Sequence, residues 1–482
     1  MKRHLVLGAV LAALVGVTST SWALDVNWGG DYRIRGFYID NLTDGDSDFR
    51  DSAAYYSSRF MLTTTATQDG VSGVVTLLAG SQNATGNRLL GDGTGSLPGA
   101  ADDDGFAFGP TGTSVEILEA YIKADFKTWA LTGGRAGLKF GNGVIMDDWV
   151  DGIWADLGLG GMTLTVGTAK FDERTDNNAV FIGNSTPGGP GVDSGPGDDA
   201  DLYFVNAGLG KTGAASGTNV FLLYLMDRST LGLDPTGALG IPAGQEATVW
   251  TLGAATELDM NGLKLKGEFD YLNGTYKPLT GSDIDLQGYN LVLGAKMDAG
   301  GIPLGVDLIY TSGQDNNSTS TDGNINGLSG NYPIGIIITN SGARSAGVTD
   351  GTCVSVGGTN TYSGGSGSCL GGDGLTAIKV STGMTHGAHT IDLAAIWAQA
   401  TEDPFDFGSG LAPDQAGYDA GTDLGIELDA TVTWSLTKNL SLMGGVGYLL
   451  AGDYFKSLPN NSEPNGATDD LVVLVAQLGY TF

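Results

Sequence analysis

Apolar and polar residues alternate along most of this chain, and the final segment, 474–482, shows the pattern most clearly. Every second residue there is apolar, ending in Phe482, while small or polar residues stand between them. Because side chains on a strand point to opposite faces in turn, this segment has one apolar face and one small or polar face. A strand that separates lipid from a wet interior needs this division. The sequence therefore predicts a lipid-facing strand at the C-terminus.

Alternating blocks of this kind recur along the chain, and the connections between them are alternately short and long. The short connections lie at 68–70, 127–128, 158–161, 211–217, 260–262, 299–301, 386–388 and 437–439. The long ones lie at 42–54, 83–113, 141–150, 172–200, 230–244, 277–283, 314–374, 401–420 and 456–467. Eight short and nine long connections join eighteen strands. An even number of strands, with both termini on the short-turn side, predicts an all-β fold, a transmembrane antiparallel up-and-down β-barrel.

The N-terminus predicts export. Lys2 and Arg3 precede an apolar stretch that ends at Val17, and small residues follow it. This is the pattern of a secretory signal peptide, so we expect residues 1–23 to be cleaved off and residues 24–482 to form the barrel. The apolar stretch is shorter than the roughly 20 residues that a spanning helix needs. The expected location is the outer membrane, with lipid around the barrel.

Composition agrees with folded β-structure and narrows the partners. Glycine accounts for 80 of 482 residues without the strict period of collagen, which fits a chain with many tight turns. The formal net charge of −31 argues against nucleic acid as a partner. Cys353 and Cys369 lie in a stretch rich in glycine and serine, which in an exported protein predicts one local disulfide. Free thiols are the alternative.

Charged residues on the strands are expected to point into a polar lumen, because a charge on the lipid side near the midplane costs about 2–4 kcal/mol. Cations of neighbouring strands then form a basic patch on one wall: Arg33, Arg35, Arg59, Lys123, Arg135 and Lys139. Anions of later strands fall on the opposite arc: Glu268, Asp270, Asp307, Asp392, Glu427 and Asp429. This predicts a wall divided by sign, with a field across the pore. The alternative is local pairing: Arg33 with Asp31, and Lys123 with Glu119 and Asp125.

Three segments in this region resemble outer-membrane porins. They are Glu-Ala-Tyr-Ile-Lys at 119–123, Gly-Arg-Ala-Gly-Leu-Lys-Phe-Gly-Asn-Gly at 134–143 and Trp-Val-Asp-Gly-Ile at 149–153. Together they look like the segment of general porins that leads into the constriction loop. They are also similar to the corresponding part of the eighteen-stranded alginate-export channels. The resemblance implies a Gram-negative outer-membrane porin.

The resemblance also implies a pore constriction. In general porins the constriction loop folds inward and sets acidic groups against a basic wall, and the matching connection here is 141–150. The implied constriction residues are Arg33, Arg35, Arg59, Lys123, Arg135, Lys139, Asp147 and Asp148. The lumen is less basic than in the alginate channels, so the implied cargo is small hydrophilic solutes or ions rather than a polyanion. General porins are often trimers and alginate-type channels monomers, so a homotrimer is one expectation.

Catalysis and cofactor binding find no support in the sequence. Beyond the predicted signal peptide the only histidines are His386 and His389, which lie in or beside a predicted short turn. G-x-S-x-G, P-loop, zincin and C-x-x-C-H motifs are absent, so we expect neither an enzyme nor a cofactor. A calcium loop starts at Asp44 but fails at Phe49, where that loop needs glycine. No metal site is predicted.

The resulting prediction is an outer-membrane channel for the passive diffusion of small hydrophilic solutes or ions. Its loop charge favours cations and its basic patch favours anions, so the sequence leaves the selectivity open. Two other hypotheses remain. The barrel is a sheath around a separate multihaem cytochrome, or it is an adhesin-like structural barrel plugged by the connection 314–374. That connection holds an apolar stretch from Tyr332 to Ile338, expected to form an extra strand or to plug the mouth.

Overall fold

The computed structural model describes residues 24–40, 53–80, 115–173, 199–210, 217–227, 244–278, 282–313, 322–324, 332, 334–338, 374–402, 421–454 and 469–482. The predicted signal peptide and the predicted disulfide between Cys353 and Cys369 lie outside the described residues. No helix within the described ranges is long and apolar enough to cross a membrane.

Eighteen long strands close into one antiparallel barrel, and a short additional strand lies beside it. The first strands are β1 (Asp25–Asp40), β2 (Ala53–Gln68), β3 (Val71–Gly80), β4 (Val115–Asp125), β5 (Trp129–Phe140), β6 (Met146–Gly158), β7 (Met162–Glu173), β8 (Asp199–Leu209), β9 (Gly217–Asp227) and β10 (Gly244–Met260). The others are β11 (Leu263–Pro278), β12 (Ile284–Asp298), β13 (Pro303–Thr311), β14 (Asp322–Asn324), β15 (Leu375–His386), β16 (His389–Gln399), β17 (Asp423–Ser435), β18 (Leu440–Ala451) and β19 (Leu471–Thr481). The predicted all-β barrel of eighteen strands is confirmed.

The barrel closes between its first and last strands. Each barrel strand pairs with the next along the chain, β13 pairs with β15, and β1 pairs with both β2 and β19. The short strand β14 runs parallel to β12. At the seam, the backbone N–H of Phe482 donates to the carbonyl of Gly30, and the N–H of Gly30 donates to Phe482, both at 3.1 Å. The C-terminal segment therefore is the closing strand that its alternation predicts.

Local turn chemistry sets one end of the barrel. Asp69-Gly70 and Asn261-Gly262 connect adjacent strands with φ angles of 50° and 83°, and 55° and 92°. Two successive positive φ angles define a type I′ turn, whose twist matches that of the flanking strands and which favours Asp-Gly and Asn-Gly. We call this end of the barrel the short-turn end and the opposite end the long-connection end.

The outward face is apolar, as a lipid-facing surface requires. On β17, for example, Leu428, Val432 and Trp434 are exposed on one face. Towards the long-connection end an aromatic girdle runs across six strands, with ring centroids 6.3, 5.4 and 5.5 Å apart in the pairs Tyr203–Tyr224, Trp250–Tyr271 and Tyr289–Tyr310. Aromatic girdles mark the membrane–water interface of barrels of this class.

Candidate functional site: the interior of the barrel

The inward face of the barrel has two layers. Towards the short-turn end it is charged: on β11, the inward residues include Lys264, Lys266, Glu268 and Asp270. Towards the long-connection end it forms an apolar layer of buried side chains, which include Phe37, Trp154, Leu202, Phe204, Phe221, Leu223, Leu225, Leu272, Leu286, Val292, Ile309, Ile396, Leu449 and Val473. The prediction of a polar lumen therefore holds only for the short-turn half.

The connection between β5 and β6 turns into this apolar layer. The ring centroid of Phe140, at the end of β5, lies 5.3 Å from that of Phe204 and 5.6 Å from that of Phe221. These partners stand on β8 and β9, which are not neighbours of β5, so the contacts lie inside the barrel. The backbone N–H of Asn142 reaches β11 and donates to Glu268 Oε2 at 2.5 Å. The connection thus takes the inward course that the resemblance implied, over residues 141–145.

The acids predicted for this loop do not belong to it. Asp147 and Asp148 are residues of β6, because the turn is complete before Met146. Asp147 pairs across the hairpin with Lys139, with 3.0 Å between Oδ2 and Nζ. Asp148 accepts a hydrogen bond from the backbone N–H of Trp149 at 2.7 Å. The prediction that both acids belong to the loop is wrong, because they are part of β6.

Arg135 and Lys139 face outward rather than into the lumen. Arg135 lies opposite Asp151 in the register of β5 and β6, on the same face as Ile153, which is half-exposed on the outside. The buried face of β5 carries Ala136 and other small or apolar residues. The guanidinium of Arg135 lies 2.9 Å from the Asp151 carboxylate. This pairing neutralises both charges on the outward surface. The expectation that charged strand residues point into the lumen is therefore wrong for Arg135.

Three arginines of the predicted patch do line the interior. Arg33 and Arg59 lie directly opposite each other on β1 and β2. Arg35 is 1 % exposed, and its Nε donates to Gln477 Oε1 at 2.5 Å. Nη2 of Arg59 lies 3.2 Å from Asp31 Oδ2. These residues border a cavity of about 380 Å³, so a basic patch and a local ion pair coexist here.

Lys123 lies nearer the short-turn end. On β4 it pairs in register with Ser72 of β3, whose hydroxyl lies 3.0 Å from that of Thr67 on β2. The side chain of Lys123 is exposed. Lys123 therefore belongs to the short-turn mouth of the interior, apart from the buried Arg35.

A second inward segment comes from the longest connection. Residues 334–338 are largely buried inside the barrel and contact the inward faces of β15 to β18. The backbone N–H groups of Ile337 and Ile338 donate to the two oxygens of Glu427 at 2.6 and 2.7 Å. The N–H of Ile336 donates to Asp429 Oδ2 at 3.1 Å. The apolar stretch is therefore neither an extra barrel strand nor solvent-exposed, and two wall carboxylates hold it.

Two lysines hold the same segment from the other side, and sequence reasoning assigned neither of them a role. Lys379 on β15 donates to the carbonyl of Ile334 at 2.5 Å. Lys266 donates to the Tyr332 hydroxyl at 2.5 Å and lies 2.8 Å from the Asp307 carboxylate. Burial raises the pKa of the Tyr332 hydroxyl, and the ammonium of Lys266 opposes that rise. The sequence signal for an inward position of Lys266 and Lys379 is that both alternate with apolar residues on their strands, as the inward acids do.

The charged layer on this side contains both signs. A cavity of about 690 Å³ lies between the segment and the short-turn end, and its charged lining residues are Glu257, Lys264, Lys266, Lys296, Asp307, Lys379, Asp392 and Asp429. The prediction of an acidic arc opposite a basic one is therefore wrong. Lysines and acids interleave there because they neutralise each other, as the pair of Lys266 and Asp307 shows.

The fold and its interior define a class: an eighteen-stranded closed antiparallel β-barrel, with two connections turned into the lumen. Solved structures share this fold at low sequence identity. OpdL from Pseudomonas aeruginosa has a TM-score of 0.51 at 13% identity, over 95% of this chain and 99% of that chain. A BenF-like porin from Pseudomonas fluorescens Pf-5 has a TM-score of 0.53 at 10% identity, over 96% and 100%. OccK2 (OpdF) from Pseudomonas aeruginosa, solved in complex with glucuronate, has a TM-score of 0.50 at 10% identity, over 95% and 98%. The sequence matches no protein-family model and no curated protein.

Proposed function

We propose that this protein is an outer-membrane channel for the passive diffusion of small hydrophilic solutes or ions. The observation that carries the proposal is the contrast between the two faces of a closed barrel. The outward face is apolar and bears an aromatic girdle, while the inward face is charged around cavities of about 380 and 690 Å³. A barrel of eighteen strands encloses more space than its own side chains fill.

The proposed orientation follows from the two ends of the barrel. Short turns of bacterial outer-membrane barrels face the periplasm, and long connections face the outside. In this orientation the apolar layer lies in the outer half of the lumen and the charged layer in the inner half. The predicted signal peptide, with cleavage after Ala23, agrees with this orientation, because exported barrels enter the outer membrane from the periplasmic side.

The proposed constriction consists of the two inward segments and the arginines that border a separate cavity on the wall of β1 and β2. Residues 141–145 and 334–338 narrow the lumen, and Arg33, Arg35 and Arg59 provide the charge. Charges on the wall act on a solute inside the lumen, whereas the field of a charge more than about 8 Å away is largely screened by salt. We therefore expect small anions to be preferred over cations. The complex of OccK2 with glucuronate, a carboxylate, is compatible with this preference.

A plugged barrel is the second candidate, and the position of the longest connection favours it. Residues 334–338 are buried and hydrogen-bonded to the wall, so they obstruct part of the cross-section. The same observation weighs against a cytochrome sheath, because the chain itself occupies interior space that a cytochrome would need. A channel and a plug differ in whether solute passes while this segment is in place.

Liposome swelling separates these candidates. Proteoliposomes loaded with a large impermeant solute are diluted into isotonic glucose, glucuronate or stachyose. A channel gives rapid swelling in the two monosaccharides and slow swelling in the tetrasaccharide, because passage depends on size. Liposomes with heat-unfolded protein serve as the control. Swelling no faster than this control in all three solutes contradicts the channel and supports the plugged barrel.

A further inference from the structure

The inward face carries the same three-residue motif twice. Glu268-Phe269-Asp270 lies on β11 and Glu427-Leu428-Asp429 lies on β17. In each, the apolar middle residue is exposed on the outward face, so both carboxylates point inward. Each motif also receives backbone N–H groups from one inward segment: the β11 motif from residues 141–145, and the β17 motif from residues 334–338.

The two motifs differ in how many donors they receive. The β17 motif accepts three backbone N–H groups, two at Glu427 and one at Asp429. The β11 motif accepts one, from Asn142 to Glu268 Oε2. Glu268 Oε1 and both carboxylate oxygens of Asp270 are buried, and no backbone N–H of the described residues donates to them; the two carboxyl groups lie beside each other and beside the Asn290 amide. Three acceptor oxygens are therefore left over in the β11 motif.

These leftover oxygens belong to deeply buried side chains. Glu268 is 2 % exposed and Asp270 is 0 % exposed. Neither forms an ion pair with any described residue: the nearby ammonium of Lys266 pairs with Asp307, and that of Lys139 pairs with Asp147. A buried carboxylate without a partner is strongly destabilising, and two side by side also repel each other. Either a proton shared by the two carboxyl groups or a bound cation therefore has to neutralise the pair.

Further oxygens border the pair. Asp270 lies over Gly253 of β10, since a Cβ placed on that glycine would come within 2.4 Å of Asp270 Oδ1. Thr251 stands two residues away on the same face of β10, and its hydroxyl is likewise buried without a partner among the described residues. On the other side, Asn290 of β12 lies directly opposite Asp270 in the register. A hydroxyl on β10, two carboxyl groups on β11 and an amide on β12 thus occupy neighbouring inward positions, beside the Phe221 ring that also lies over Gly253.

We propose that Glu268 and Asp270, together with Thr251 and Asn290, bind a calcium ion. Hard divalent cations take oxygen ligands, and two carboxylates balance their charge. Calcium fits better than magnesium, because it accepts flexible coordination and gives up its water more easily in a buried site. Since Glu268 also holds Asn142, the bound ion fixes the inward connection 141–145 against β11.

The test is calcium titration of the purified full-length protein by isothermal calorimetry after treatment with EDTA. Acidic loops contribute weak binding, so the informative quantity is the difference between variants. Asp270→Asn should lose one binding equivalent. Asp429→Asn is the matched control from the β17 motif and should retain that equivalent. Heat-modifiable migration on gels establishes that each variant is folded.

A second variant keeps the test decisive if Asp270→Asn does not fold. Thr251→Val removes one neutral ligand and should weaken the same site at least about tenfold, a size of effect typical for the supporting groups of metal sites. Equal binding by the wild type and both variants overturns the proposal, since the ions are then held elsewhere. Absence of binding in the wild type, with Asp270→Asn more stable than the wild type in EDTA, also overturns it and indicates that the two carboxylates share a proton.

Discussion

Glu427→Gln should widen the channel. Glu427 accepts the backbone N–H groups of Ile337 and Ile338, and an amide at this position presents one oxygen to the two donors. A hydrogen bond to a charged group contributes about 1.5–3 kcal/mol. Losing one lowers the ratio of docked to released segment by about 10- to 100-fold, because 1.4 kcal/mol corresponds to a factor of ten. Single-channel recording in a planar bilayer should show larger or more frequent open events than in the wild type.

The matched control is Asp392→Asn on the neighbouring strand β16, an inward acid that borders the cavity of about 690 Å³ and makes no hydrogen bond to the described part of the segment. Its conductance should equal that of the wild type. Gly447→Val should also release the segment 334–338 from the wall, in this case by a steric clash, because a Cβ at Gly447 would come within 2.9 Å of the Ile336 side chain. If Glu427→Gln and Gly447→Val both conduct like the wild type, the segment does not restrict the pore.

Replacing Arg33 and Arg35 together by glutamine should shift ion selectivity towards cations. A unit charge about 4 Å from a permeating ion contributes about 1 kcal/mol even in water. Because the same charge attracts an anion and repels a cation, an arginine at this distance changes the ratio of anion to cation permeability by up to about 25-fold, given a factor of ten per 1.4 kcal/mol. Reversal potentials measured under a salt gradient give this ratio directly. The shift should shrink at high salt, where the fields are screened.

Arg135→Gln tests whether Arg135 lies on the outward surface, as in the structure, or in the lumen, as the sequence predicts. Arg135 was predicted to belong to the same basic patch, but it pairs with Asp151 on the outward surface. Its replacement should leave the reversal potential unchanged and affect at most the stability of the barrel. A shift with Arg135→Gln as large as with the arginine pair contradicts the assignment of faces on β5.

The strands and turns could be predicted because their determinants are local. Alternation with period two fixes the faces of a strand, and Asp-Gly or Asn-Gly fixes a hairpin, as at Asp69-Gly70 and Asn261-Gly262. Strand number follows from counting such blocks. The predicted connection 141–150 is too long, because Met146, Asp147 and Asp148 are strand residues that pair in register with β5.

The interior could not be predicted to the same extent, because it depends on contacts between distant segments. Arg135 was assigned to the lumen since charge alone set its face, yet its cross-strand partner Asp151 makes the outward face acceptable. The apolar stretch ending at Ile338 was identified, but its place follows from Glu427, which lies 89 positions further along the chain. Alternation predicts that a side chain points inward. It does not predict which distant segment of the chain that side chain contacts.

The most direct test of the channel is single-channel conductance of the purified wild-type protein in a planar bilayer under a salt gradient. We expect steady open current, with a reversal potential of the sign that indicates preference for anions. Absence of current in the wild type, in Glu427→Gln and in Gly447→Val would contradict the channel and leave a closed structural barrel.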